Sequence, residues 1–244
     1  MARANKSKYQ RVLLKLSGEQ LAGKQDYGID PEFVKLLSDE IKRIVDKNVQ
    51  VAIVVGGGNW LRGATFAEHG IGRATADYMG MLATLMNALA LMDMLEADGC
   101  VARVQTNINV PQVAEPFIRR RAIRHLEKGR VVIIAGGTGK PYVTTDSAAV
   151  STALELDCEV VLKGTKVDGV YTKDPMKHKD AQRLDELTHQ AAIENPEVKV
   201  MDKAAIGLAM EQNMPIVVFD LHKKDNLLSV IDGLRIGTLV AAKS

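Results

Sequence analysis

Lysine is seldom found inside apolar strands, and this sequence places two there. Lys15 lies within RVLLKLS (11–17) and Lys163 closes EVVLK (159–163). Burying an ammonium costs several kcal/mol unless an anion pairs with it. A side chain snorkelling from the strand end is the ordinary alternative; the glycine turn directly after Lys15 favours a functional reading. Arg62 follows Gly56-Gly57-Gly58 and can fork onto a phosphate, or it is simply a surface arginine. Asp146 opens a helix after Thr144-Thr145, where it either complements the helix dipole or holds two lysines in place. Three cations with no obvious nucleophile or base suit phosphoryl transfer, which needs positioning and charge neutralisation more than covalent chemistry. Such a reaction would use Mg²⁺ bound mainly by phosphate oxygens and water. No residue is assigned to a metal.

Glycines cluster after apolar runs at Ser17-Gly18, Gly56-Gly57-Gly58-Asn59 and Gly136-Gly137-Thr138-Gly139. Glycine lets backbone N–H groups come close to a phosphate, and a following helix N-terminus adds partial positive charge. One such run is an ordinary tight turn, whereas three on one sheet edge point to an anion site. The common nucleotide signatures are absent. Gly136 to Lys140 has the wrong spacing for a P-loop and runs into Pro141, and the last glycine of a dinucleotide fingerprint would fall at Leu61. There is no HExxH, no GxSxG and no close histidine pair, so zinc and serine hydrolases lack support. Two cysteines, Cys100 and Cys158, without a CxxC exclude a disulfide framework and a zinc–thiolate site, and a reduced cytoplasm is expected.

These groups need a scaffold. The 244 residues are 46% apolar and 25% charged, which suits a folded protein. A net charge of +2 (32 − 30) and 4% aromatics give neither a basic field nor stacking platforms for nucleic acid. The first ten residues, MARANKSKYQ, lack an apolar signal core, so export is not expected. The apolar stretch 79–95 is broken by Gly80, Thr84, Asn87 and Asp93, which reads as a buried helix and not a membrane span. Apolar runs at 11–17, 49–55, 101–105, 130–135, 159–163, 215–220 and 237–241 read as strands. Asp30-Pro31 opens a helix whose Phe33, Leu37, Ile41 and Ile44 share a face. Further helices fit 73–98, 145–157, 183–194, 202–213 and 225–233. This alternation implies an α/β fold with a mainly parallel sheet covered on both faces, in one domain over 1–244. Residues 172–183 read as an exposed loop between its halves.

Five segments in register carry a resemblance: KLSGE (15–19), GGGNWLRG (56–63), DYMGMLATLMNALAL (77–91), GGTGKPYVTTDSAA (136–149) and KGTKVDGVYTKDP (163–175). The chain resembles the bacterial UMP kinases of the amino-acid kinase superfamily over nearly its whole length. The resemblance implies a three-layer αβα sandwich, a homohexamer, and ATP-dependent conversion of UMP to UDP in pyrimidine nucleotide biosynthesis. UMP would fall mainly to the N-terminal half and ATP mainly to the C-terminal half. It assigns phosphoryl transfer to Lys15, Arg62, Asp146 and Lys163. It assigns UMP to Gly57, Arg62, Asp77 and Thr138, Gly139, Lys140, Pro141, Tyr142, Val143, Thr144 and Thr145. It assigns ATP to Lys15, Leu16, Ser17, Gly18, Gly58, Arg62, Thr165, Tyr171 and Asp174. GTP activation and UTP inhibition are implied too, with GTP at Gly23, Lys24, Gln25, Asp26, Tyr27, Gly28, Arg103 and Arg130. Gly137, Lys140 and Val143 depart from common family residues at the substrate wall.

Two alternatives stay open. A carboxylate kinase of the same fold would form an acyl phosphate, but an acid at Asp77 repels a carboxylate acceptor and suits ribose hydroxyls. A non-catalytic nucleotide- or oxyanion-binding protein could use the same glycine loops, yet it would have no need of Lys15, Asp146 and Lys163 together.

Overall fold

The computed structural model describes residues 7–61 and 70–242. In chain order these form β1 (Arg11–Leu16), the single-turn α1 (Gly18–Leu21), α2 (Pro31–Val45), β2 (Gln50–Val55), the long α3 (Arg73–Ala97), β3 (Ala102–Thr106) and β4 (Glu115–Pro116). Then come α4 (Arg119–Glu127), β5 (Val131–Ala135), α5 (Thr145–Glu155), β6 (Val160–Thr165), β7 (Val170–Tyr171), β8 (Arg183–Leu184) and β9 (Glu186–Thr188). The chain closes with α6 (His189–Glu194), α7 (Lys203–Glu211), β10 (Ile216–Asp220), α8 (Asn226–Ile231) and β11 (Thr238–Ala241).

Nine strands join in the order β4-β3-β5-β2-β1-β6-β10-β11-β9, and β7 and β8 form a separate hairpin. Every neighbouring pair in the large sheet is parallel except β10 with β11. Alternation along each strand sends Val12, Leu14, Leu16, Ile53 and Val55 to one face, against α2, α3 and α8. Leu13, Val54, Ile134, Val161 and Val218 go to the other, against α4 to α7. The strands are therefore buried on both sides, which is why they read as unbroken apolar runs.

Local chemistry explains the element ends. Asp30 caps α2 by accepting from the N–H groups of Glu32 and Phe33, Pro31 fills its first turn, and Phe33, Leu37, Ile41 and Ile44 are buried. By length and composition α3 could cross a membrane, but its Ala76, Met81, Leu85, Ala88, Leu91 and Leu95 are buried in protein.

Two expectations need correction. The helix expected over 183–194 is confined to His189–Glu194, because Glu186–Thr188 pairs with β11 as an edge strand and Thr188 then caps the helix. Helix α4 was not foreseen: the run Arg119-Arg120-Arg121 masks a stripe whose buried members are Ala122 and Leu126.

Candidate active site

The chain leaves β1 toward β2 on one side, and β6 lies on the other, so connections diverge between β1 and β6. In open parallel sheets such a divergence opens a crevice at the carboxyl ends of the strands. Lys15 and Lys163 are register partners there. Both side chains consequently leave the sheet on one face, from strands roughly 4.8 Å apart. Asp146, in the first turn of α5, stands over them: its Oδ1 is 2.8 Å from Lys15 Nζ and its Oδ2 is 3.1 Å from Lys163 Nζ. Lys163 also donates to the Val200 carbonyl at 2.6 Å. Thr144 caps α5 by accepting from the N–H groups of Asp146 and Ser147, which sets the carboxylate in place.

The three side chains are only 8%, 16% and 16% exposed for Lys15, Asp146 and Lys163. Burial pushes the Asp146 carboxyl up, but Lys15 and Lys163 outweigh it and hold the group below its ordinary range. Burial likewise pushes the Lys163 ammonium down, with Asp146 opposing. Two lysines against one carboxylate leave a net positive charge aimed at the sheet edge. No thiol competes as nucleophile, since burial raises Cys100 and drives Cys158 up to about 12.

A cleft of 140 Å³ lies beside this cluster, lined in part by Gly57, Gly58, Asp77, Gly80, Gly137, Val143 and Thr145. One stripe of α3 shapes it. Asp77 accepts from the Tyr142 N–H at 2.8 Å and from Arg73 Nε at 2.9 Å. That bond fastens Tyr142 in a left-handed conformation (φ 68°) with its ring exposed. One turn on, Gly57 packs so close to the Gly80 carbonyl that a Cβ would approach to 2.7 Å. Next, Thr84 Oγ1 accepts from the Gly136 N–H at 2.7 Å. A single helix thus grips two of the three glycine turns. The Thr138 hydroxyl beside them is buried and has no hydrogen-bond partner among the described residues. Lys140 is exposed and Pro141 half-buried on the same loop.

A second cleft, of 370 Å³, opens past Asp146 and Lys163 and is lined by Asn195, Lys199, Val200, Asp202 and Lys203 among others. Asp146 and Lys163 thus line this second cleft, while Thr145, the residue before Asp146, lines the first. Asp202 is a member that sequence reasoning missed. It caps α7 through the Ala205 N–H at 2.9 Å and accepts from the hydroxyls of Thr144 and Ser147, joining α7 to α5. An aspartate before a helix carries no signal beyond its cap.

The remaining predicted positions are distributed as follows. Ser17 and Gly18 start α1 at the carboxyl end of β1, and the Leu16 side chain is fully buried, leaving its backbone facing the turn. Thr165 ends β6, with Oγ1 2.6 Å from the Val167 carbonyl oxygen. Tyr171 donates its hydroxyl to Asp168 at 2.6 Å, and Asp174 accepts from the Met176 N–H at 2.9 Å. Arg62 lies outside the described residues. The predicted GTP positions are not brought together within one chain. Gly23 to Gly28 lie at the carboxyl rim, where the Gly28 N–H donates to the Asn59 carbonyl. Arg103 and Arg130 lie near the amino ends of β3 and β5, at Glu96 and His125 respectively.

Fold and cluster define a three-layer α/β protein with its cationic groups at the sheet's switch point. The model of the amino acid kinase family matches residues 10–220, and the chain belongs to that family. Solved structures agree. A UMP kinase from Bacillus anthracis is 38% identical with a TM-score of 0.93, covering 97% of each chain. One from Ureaplasma parvum is 34% identical with a TM-score of 0.89, covering 95% of this chain and 98% of that one. A uridylate kinase from Archaeoglobus fulgidus is 27% identical with a TM-score of 0.73, covering 94% and 99%.

Proposed function

We propose that the protein is a UMP kinase that transfers the γ-phosphoryl group of ATP to UMP, giving UDP for pyrimidine nucleotide biosynthesis. The observation that carries this reading is the Lys15–Asp146–Lys163 cluster at the β1–β6 boundary, beside two clefts. Similarity to UMP kinases over nearly the full chain supports the acceptor.

The chemistry needs no protein base. A phosphate monoester has its second pKa near about 6, so the UMP phosphate is largely dianionic at neutral pH. One of its oxygens attacks the γ-phosphorus, a new P–O bond forms, the bond to the β-phosphate oxygen breaks, and ADP leaves. Lys15 and Lys163 neutralise charge spread over the migrating group. Asp146 orients both and is no base, because each oxygen faces an ammonium and the carboxyl is held low. Asp77 would meet the UMP ribose, the 138–145 loop the uracil and phosphate, and Thr165, Tyr171 and Asp174 the ATP base and ribose. Gly57, Gly58 and Arg62 would bind phosphates, as would the Ser17-Gly18 turn. Mg²⁺ would enter with ATP and neutralise phosphate charge; among the described residues no group of three or more His, Cys, Asp or Glu could hold it alone.

The nine-stranded sheet draws on both halves of the chain, which supports a single domain. The exposed Tyr78, Leu82 and Met86, four residues apart on α3, support self-association of the homohexameric kind. GTP activation, UTP inhibition and a cytoplasmic location belong to the same reading. With ATP and Mg²⁺, UMP should be phosphorylated far faster than AMP, GMP or CMP, and hydroxylamine should trap no acyl phosphate. Equal turnover of all four nucleotides would refute the assignment.

A further inference from the structure

Asn87 is fully buried on α3 and is not among the residues assigned to UMP or ATP. Its amide forms a reciprocal pair with that of Asn59. Asn87 Nδ2 donates to Asn59 Oδ1 at 2.7 Å, and Asn59 Nδ2 donates to Asn87 Oδ1 at 3.0 Å. Each amide also reaches outward. Asn87 Nδ2 donates to the Gly56 carbonyl at 2.7 Å, and Asn59 Nδ2 donates to the Gly28 carbonyl at 2.7 Å. Trp60 Nε1 donates to Asn87 Oδ1 at 2.8 Å. An indole N–H can only donate and a carbonyl can only accept, so the orientation of both amides is determined by their surroundings. All hydrogen-bonding capacity of the Asn87 side chain is used.

The pair grips the Gly56–Asn59 turn from behind. In front, Gly57 and Gly58 line the 140 Å³ cleft. The turn cannot retreat on its other sides. Gly56 N–H donates to the Leu16 carbonyl at 2.8 Å, and a Cβ on Gly18 would come within 2.6 Å of Gly58 N. The same joint reaches the surface, for the exposed Tyr27 ring meets Trp60 edge-on with centroids 5.1 Å apart.

We propose that Asn87 is a positioning residue for phosphate binding: through Asn59 and Gly56 it sets where the Gly57 and Gly58 N–H groups point. The inference rests on the reading of the cleft as a nucleotide phosphate site. A buried amide pair could serve stability alone, so the test must separate the two roles.

Asn87→Asp keeps the shape and the Trp60 bond but replaces two donors by at most one, the O–H of a protonated carboxyl. Affinity for UMP and for uridine is measured by titration, beside thermal unfolding. The positioning role predicts UMP affinity weaker by about tenfold or more, with uridine affinity held within a factor of about two, because only the phosphate has lost its cradle. Unchanged UMP affinity, or equal losses for UMP and uridine, would overturn the proposal. Should that variant fail to fold, Trp60→Phe removes one donor to Asn87 and keeps the ring against Tyr27. It must then show a smaller phosphate-selective loss, and none would overturn the proposal. If the unmodified protein does not phosphorylate UMP, the acceptor reading fails by itself. The cradle is then read through ATP, whose affinity must fall in Asn87→Asp for the positioning role to stand.

Discussion

Asp146 shows how one residue sets the chemistry of two others. Two ammonium groups on adjacent strands repel, and the shared carboxylate is what makes their placement tolerable. Its stability contribution has a defined pH window. A carboxyl held below its ordinary 3.8 binds fewer protons folded than unfolded, so its stabilisation is complete above that value. The stabilisation is lost as pH falls through the lower, folded-state pKa. Asp146→Asn should therefore cost about 3 kcal/mol at neutral pH, since it leaves two lysines without their anion. Urea unfolding at neutral pH and well below pH 3.8 checks this, and the gap between variant and parent should narrow in acid. Lys15 was legible in the sequence because an ammonium in an apolar run is a local anomaly. Asp202 and Asn87 were not, because aspartate before a helix and asparagine within one are unremarkable until the loops they hold come together.

At the scale of elements, α3 does the most for the site. Asp77, Gly80, Thr84 and Asn87 line one side of it and hold the 136–142 loop and the Gly56–Asn59 turn. In the sequence this stripe appeared only as interruptions in an apolar helix, since its partners lie tens of residues away. Thr84→Val keeps the shape but strands the buried Gly136 N–H without an acceptor. It should cost about 2 kcal/mol in thermal or urea unfolding and raise the KM for UMP, because the loop's anchor is lost. Little change in either quantity would detach Thr84 from the loop. The parallel strands and α2 were legible because burial on both faces and a Pro-after-Asp start are local signals. Glu186–Thr188 was not, because pairing with β11 some fifty residues later decides its conformation.

For the whole molecule, the β1–β6 boundary is where N-terminal and C-terminal halves meet, and each supplies one lysine. The outer face of α3 gives a separate expectation: Tyr78, Leu82 and Met86 are 48%, 52% and 45% exposed. On the proposed self-association, Leu82→Glu should shift sedimentation toward the monomer, whereas a parent that already sediments as a monomer, or a variant that stays oligomeric, would refute this face as the interface. On the proposed function, the paired lysines act on the migrating phosphoryl group and not on UMP binding. Rapid-quench measurement of single-turnover UDP formation in Lys15→Met and Lys163→Met, beside titrated UMP affinity, separates the two roles. Transfer should slow by about 10²–10³-fold at nearly unchanged UMP affinity. Transfer at the parent rate, with the loss confined to UMP affinity, would contradict it.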